Sequence, residues 1–305
     1  MGKLAFIFPG QGAQYVGMGM DFYEKYQSAK AVFDLAEEVS GVPVKEICFT
    51  ENEKIGITEY TQIAMLTTEM AILRVLEEKG IHPDVCAGLS LGEYGALAAS
   101  HVMDWKDLFV LIRKRGLYMQ QAYPEGGAMA AILGLEAEQI QAVCEQTEGI
   151  VSVANYNCPG QIVITGEAEA VNQACVVLKE AGAKRCLPLK VSGPFHSALL
   201  AGAGRQLGEA LAEVEVKDYT IPYLSNVTAD YVTDPVQVKD LLQKQVSCSV
   251  RWQQSMERMI ADGVDTFIEI GPGKTLAGFA RKINPDVTVW NVSKAEELEG
   301  ILNRE

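Results

Sequence analysis

Val85-Cys86-Ala87-Gly88-Leu89-Ser90-Leu91-Gly92 decides the fold class. A short apolar run leads into a serine held between two glycines, and a small-residue helical run from Gly95 to Ser100 follows. Strand, sharp turn and helix in that order can lift a serine hydroxyl clear of a sheet, at the N-terminal end of the next helix. The same residues also fit an ordinary β-α turn, because glycine and serine are common in turns.

Outward from this stretch, helical and strand patterns alternate. Leu4 to Phe8 reads as a buried strand ended by Pro9-Gly10, with the loop Gly10-Gln11-Gly12-Ala13-Gln14 behind it and a helix from Asp21 to Ser40. Thr61 to Lys79 is helical, with Met65, Leu66, Ile72, Leu73 and Leu76 on an apolar face that reads as core. Trp105 to Gln121 is a charged helix carrying Arg113-Lys114-Arg115. From Pro124 to Ser192 the order becomes strand, helix, two strands around Asn157-Cys158-Pro159-Gly160, helix and strand, which is the ferredoxin-like unit. Alternation then returns, with strands expected at Ile221 to Ser225, Thr266 to Ile270 and Val287 to Val292. These patterns predict an α/β fold whose mostly parallel sheet is covered on both faces, with a ferredoxin-like (βαββαβ) subdomain inserted. The expected division is a core of residues 1–123 and 193–305 and an insert of residues 124–192.

The chain has 305 residues, 48% of them hydrophobic, so a large core can form. A net charge of -14 argues against nucleic acid as the main partner. The seven cysteines are scattered, odd in number and without a Cys-x-x-Cys pair, which fits buried reduced thiols in a cytoplasmic protein. The first apolar run is too short for a signal peptide, and no run approaches the ~18 residues of a membrane span. No metal-ligand spacing occurs, and Gly271-Pro272-Gly273 precedes Lys274 without the spacing of a phosphate-binding loop. The expectation is therefore no metal, no cofactor and no membrane partner.

A serine hydroxyl needs a base to become a nucleophile at neutral pH. Only three histidines are available. His82 precedes the serine's own strand and would lie at its far end. His101 follows the next helix, about a helix length away. His196, in Val191-Ser192-Gly193-Pro194-Phe195-His196-Ser197, would hang from the junction of the two units, facing a cleft. Elimination selects His196, although it also fits as a residue at a helix N-terminus. The amide of Leu91 is the expected first oxyanion donor, and the Gly10-Gln11-Gly12 loop is placed to give a second. Arg115 could clamp a carboxylate if it faces the cleft; by itself it reads as a surface charge.

At this point the chain resembles the malonyl-CoA:acyl carrier protein transacylases of bacterial fatty-acid synthesis, and more broadly the acyltransferase domains of polyketide synthases. The resemblance rests on Phe8 to Gln14, Gly88 to Tyr94, Arg115-Gly116 with Met119-Gln120, and Asn155 to Gln161. Val191 to His196, Gln245 to Trp252 and Phe267 to Gly273 complete it in the family's order. It implies an α/β-hydrolase-like core, with Ser90 as the acylated nucleophile and His196 as base. Gln245 would orient His196 through a carbonyl oxygen, where a hydrolase triad has an acid. Gln11 and Leu91 would supply the oxyanion-hole amides. Arg115 would hold the free carboxylate of malonyl, Asn155 and Gln161 would line the cleft, and Phe195 would limit branched acyl groups. The implied reaction is a ping-pong transfer from malonyl-CoA to the phosphopantetheine thiol of acyl carrier protein by a cytoplasmic monomer. Lys184-Arg185, Lys190 and Arg113-Lys114 are candidates for docking an acidic carrier, or equally for solvated faces. Two residues depart from the family's pattern, Leu89 where histidine is common and Ser249 where proline is common. A free-standing polyketide-synthase acyltransferase, a serine esterase or thioesterase, and a non-catalytic module that binds acyl carriers are the other readings.

Overall fold

A computed structural model describes residues 2–191 and 193–302. Ser192, part of the quoted motif and the last residue of the expected insert, lies outside the described residues, as do the outermost residues of the expected core. The first half of the chain runs β1 (Lys3–Phe8), α1 (Met20–Lys25), α2 (Gln27–Ser40), α3 (Val44–Phe49), α4 (Thr58–Glu78), β2 (Val85–Gly88), α5 (Gly92–Ala99) and α6 (Trp105–Ala122). The middle runs β3 (Gly127–Leu133), α7 (Ala137–Gln146), β4 (Val151–Cys158), β5 (Gln161–Glu167), α8 (Ala168–Glu180) and β6 (Arg185–Pro188). The last part runs α9 (Ala201–Ala212), α10 (Pro235–Gln245), α11 (Trp252–Ala261), β7 (Val264–Ile270), α12 (Thr275–Ile283), β8 (Thr288–Val292) and α13 (Ala295–Leu302).

Two four-stranded sheets result. One is parallel throughout, in the order β2-β1-β7-β8. Its central strand β1 is buried along Ala5 to Phe8, as expected of a parallel sheet covered on both faces. The other is antiparallel, in the order β4-β5-β3-β6. Numbered within the βαββαβ unit, that order is 2-3-1-4, the ferredoxin-like arrangement. It has its own core around Ile132, Ile140, Ile164 and Leu178. The antiparallel sheet is tied to the segment between α10 and α11 where Tyr156 N donates to Val250 O at 2.9 Å and Val250 N to Ala154 O at 2.8 Å. Ser249 takes part in this seam, its Oγ donating to Val153 O at 2.6 Å.

Several elements differ from expectation for local reasons. The single helix expected from Asp21 to Ser40 is two helices. Tyr26 between them is extended (φ -121°, ψ 122°) and its ring packs on Phe22, 5.7 Å between centroids. The strand expected at Ile221 to Ser225 is reduced to a parallel bridge between Tyr223 and Cys86. Pro222 lacks an amide hydrogen for a ladder, and the chain turns back so that Leu224 bridges Tyr231. Helix α4 is not amphipathic but buried around most of its circumference, Glu69 included. Cys175, Cys186 and Cys248 are half-buried, unlike the other four cysteines.

Candidate active site

Strand β2 delivers Ser90 at its C-terminal end, where the chain reverses into α5. A Cβ on Gly88 would lie 1.9 Å from the Gly92 carbonyl carbon, and one on Gly92 would lie 2.1 Å from Phe8 O. Only glycine allows those two approaches. Ser90 itself sits in the left-handed region (φ 55°), a strain of order 1–3 kcal/mol for a non-glycine residue. The strain is held by Asn226, whose Oδ1 accepts from Ser90 N at 2.7 Å and whose Nδ2 donates to Gly88 O at 2.6 Å.

Of the three histidines, only His196 reaches the serine. Its Nε2 lies 2.7 Å from Ser90 Oγ, and its Nδ1 lies 2.8 Å from the main-chain O of Gln245. A carbonyl can only accept, so Nδ1 carries the hydrogen and Nε2 is left to accept the hydroxyl proton. Burial, with the Arg115 charge added to it, lowers the imidazole pKa to about 4. The ring is therefore neutral near pH 7, the state a base requires. His82 is exposed, and exposed His101 faces Glu77 at 3.5 Å.

Arg115 is not a surface charge. It is 1% exposed, projecting from α6 under the serine. Its Nη2 donates to Ser90 Oγ at 3.1 Å and to Gln245 Oε1 at 3.0 Å, and Nη1 donates to Gln62 Oε1 at 2.7 Å. The Tyr94 ring lies 5.6 Å from the guanidinium. Burial lowers the Arg115 pKa, with Tyr94 and Glu93 acting in the opposite direction. Among the described residues no carboxylate pairs with the guanidinium directly. Glu93 is linked to it through Gln245, whose Nε2 donates to Glu93 Oε2 at 2.7 Å. Burial raises the Glu93 pKa to about 7, against hydrogen bonds from Gln245 and Asn226. Such a guanidinium can receive an anionic ligand without first breaking a salt bridge.

These groups open on a cavity of about 240 Å³. Gly10, Gln11, Leu91, Arg115 and His196 line it from the parallel-sheet side. Met129, Asn155, Val163, Leu189 and Val191 line it from the antiparallel side, with Phe195 beside His196. Gln11, which lines the cavity together with Leu91, is anchored by its side chain, Nε2 donating to Thr58 Oγ1 at 3.1 Å. Leu89 also lines the cavity and packs against Gly10, where a Cβ would lie 2.9 Å from its Cδ2. Gln161 is not brought to the cavity. It is turned outward, its Oε1 accepting from Lys282 Nζ at 3.3 Å. Arg113 is likewise taken up elsewhere, by Glu59 at 2.9 Å. Among the described residues, no group of three or more His, Cys, Asp or Glu side chains could hold a metal ion. No helix among them is long and apolar enough to cross a membrane.

Three residues of this assembly are not among those the sequence reading singles out. Asn226 stands in a turn 136 residues from Ser90. Gln62 reads as one polar residue in an apolar helix, and Glu93 as an ordinary first-turn acid. Gln62, polar at a position the helical pattern buries, was the one that could have been flagged.

Residues 5–292 match the acyl transferase domain family. The malonyl CoA-acyl carrier protein transacylase of Bacillus subtilis (strain 168) is 46% identical over 304 residues, covering 98% of this chain and 96% of that protein. The crystal structure of malonyl CoA-acyl carrier protein transacylase from Clostridium perfringens superposes with a TM-score of 0.96 at 43% identity, covering 99% of this chain and 96% of that one. A malonyl-transacylase solved in complex with a type II PKS acyl-carrier protein superposes equally well, with a TM-score of 0.96 at 37% identity and coverage of 99% and 100%.

Proposed function

The chain belongs to the acyl transferase domain family, and we propose that it transfers malonyl from malonyl-CoA to the phosphopantetheine thiol of an acyl carrier protein in fatty-acid synthesis. One observation carries this reading above others: a buried guanidinium with no direct carboxylate partner among the described residues lies 3.1 Å from a serine oxygen that is itself 2.7 Å from a neutral imidazole. Nucleophile, base and carboxylate receptor thus meet within one cavity.

In the first half-reaction Ser90 Oγ attacks the thioester carbon while His196 Nε2 takes its proton. The Gln245 carbonyl holds the Nδ1 hydrogen and steadies the imidazolium that forms. The amides of Leu91 and Gln11 receive the developing oxyanion, each such donor being worth about 10²–10³ in rate. The bond to sulfur breaks, and the imidazolium returns its proton to the CoA thiolate. In the second half-reaction the carrier's thiol gives its proton to His196, attacks the malonyl ester, and Ser90 leaves with that proton. Arg115 holds the malonyl carboxylate throughout, leaving its bond to Ser90 Oγ to do so. Phe195 and Asn155 bound the acyl space. Gln161, bonded to Lys282, does not bound this space.

The carrier needs a basic surface. The exposed edge strand β6 supplies Arg185, between Lys184 and Lys190, together with exposed Leu187 and Leu189, and Leu189 also lines the cavity. The proposal extends to a cytoplasmic monomer without metal or prosthetic group, and to a core of residues 1–123 and 193–305 with an insert of residues 124–192.

The test is discharge of the isolated ester. The protein is acylated with malonyl-CoA, freed of nucleotide, and offered either buffer or phosphopantetheinylated carrier protein. Rapid loss of the Ser90 adduct with matching gain by the carrier is expected. Loss at the same rate in buffer alone would make the protein a hydrolase.

A further inference from the structure

Asn226 is used by no step above, yet it touches both sides of the nucleophile turn. Its side chain spans from Gly88 O at 2.6 Å to Ser90 N at 2.7 Å, closing a bridge across the strained residue. Ser90 N is thereby occupied, so it is not available to an oxyanion. The bridge is itself anchored: Asn226 N donates to Glu93 Oε2 at 3.1 Å. The same Glu93 oxygen accepts from Gln245 Nε2 at 2.7 Å, and Gln245 Nε2 also donates to Ser90 O at 2.9 Å. The amide and the carbonyl of Ser90 are therefore both fixed by groups that converge on one carboxylate. Asn226 is 1% exposed and Glu93 is fully buried, so water does not compete for these bonds.

We propose that Asn226 and Glu93 are positioning residues that clamp the Ser90 backbone in its left-handed conformation and so hold Oγ in line with His196. Without the bridge, Ser90 relaxes toward negative φ and Oγ swings off the imidazole. A displacement of about 1 Å at a reacting atom can cost on the order of 10² in rate. The clamp does not touch the acyl group or CoA. Its loss therefore lowers the rate of Ser90 acylation and leaves KM for malonyl-CoA unchanged. Glu93 acts as an acceptor, so glutamine, which keeps an oxygen there, substitutes for it and alanine does not.

This inference rests on the acyl-transfer reading for its substrate, and a substrate-independent probe separates the two. Acylation by malonyl-CoA is followed by rapid-quench mass spectrometry in Asn226→Ala, Asn226→Asp, Glu93→Ala and Glu93→Gln. Labelling of Ser90 by a fluorophosphonate is measured in parallel, and folding by thermal melting. Asn226→Ala is expected to lose about 10²-fold in acylation rate and in fluorophosphonate labelling at unchanged KM. Glu93→Gln is expected to stay within about fivefold of the parent, with Glu93→Ala falling as Asn226→Ala does. Should Asn226→Ala not fold, Asn226→Asp decides. It keeps an oxygen for Ser90 N, loses the donor to Gly88 O, and is expected to lose about tenfold or more. A folded variant at 226 that stays within about tenfold by both probes overturns the clamp, as does a loss expressed in KM or a Glu93→Gln that falls with Glu93→Ala. If the parent protein takes the fluorophosphonate but not malonyl, the transfer reading fails, and the labelling series still decides the clamp.

Discussion

Ser90, His196, Arg115, Gln245 and Asn226 stand on the parallel-sheet side of the cavity and are bonded mainly to one another. The antiparallel side is built differently. Met129, Val163 and Leu189 offer apolar surface, and Asn157 presents a buried Oδ1 with no hydrogen-bond partner among the described residues. Its edge strand β6 is exposed, with Leu187 43% accessible. One side is preorganised, which suits charge that develops during reaction. The other is shape and surface, which suits choosing what enters. The contrast assigns rate to the first side and partner recognition to the second.

That assignment can be broken from either side. The largest effect belongs to the base. His196→Ala is expected to slow Ser90 acylation by about 10³-fold or more, since general-base help alone is worth about 10²–10⁴. Rapid-quench mass spectrometry reads the rate, and a variant within about tenfold of the parent would remove His196 from the mechanism.

The pH dependence comes next. His196 has its pKa lowered to about 4, mainly by burial, against an ordinary 6.5. In the proposed mechanism the acting form is neutral imidazole, so activity is present above the lowered value and is lost below it. In kcat/KM for malonyl-CoA, which reports the free enzyme, His196 should cause no fall between about pH 7 and pH 5 and then about a tenfold loss per unit below pH 4. Glu93 titrates near 7 behind Gln245, and repeating the profile in Glu93→Gln removes that contribution. A fall centred near 6.5 in both proteins would mean that the imidazole is not desolvated as described.

The recognition side should respond more weakly and more selectively. Lys184→Glu with Arg185→Glu is expected to raise KM for the carrier protein several-fold, to about tenfold, more so at low salt. Steady-state kinetics with each substrate varied would show it. An equal change in KM for malonyl-CoA, or none for the carrier, would take the docking surface away from β6. The smallest effect is on stability. Ser249→Ala removes the hydrogen bond to Val153 O across the seam and should cost about 1 kcal/mol in urea unfolding. No change would mean that the seam holds through Val250 alone.

What could be read from the chain was local. Gly88 and Gly92, on either side of Ser90, declare a sharp turn because only glycine tolerates the contacts made at those two positions. The βαββαβ order was legible because its strands and helices change period cleanly. Ser90, His196 and Arg115 could be nominated by residue type, but not their separation. Arg115 in particular looks like any exposed arginine until α6 is seen to bury it. The Gln245 contact to His196 is made by a main-chain carbonyl, which has no side-chain signature. Asn226 lies where a strand was expected to end, and long-range pairing rather than periodicity gives it meaning. Gln161, which the resemblance puts among the cleft-lining residues, is instead bonded to Lys282 away from the cavity lining, because a matched motif position does not fix which way a side chain turns.

The most direct test of the account is the choice between a charged and a neutral acyl group at Ser90. Intact-protein mass spectrometry after exposure to malonyl-CoA or acetyl-CoA compares the parent with Arg115→Ala, with Ser90→Ala as control. The account predicts a malonyl adduct on the parent in strong preference to acetyl, no adduct on Ser90→Ala, and loss of that preference in Arg115→Ala. Removing one partner of a buried charged pair costs on the order of 2–5 kcal/mol, so the malonyl rate should fall by about 30-fold or more while the acetyl rate changes little. An Arg115→Ala protein that still prefers malonyl would contradict the account, because the buried guanidinium beside the serine would then not be what selects the substrate.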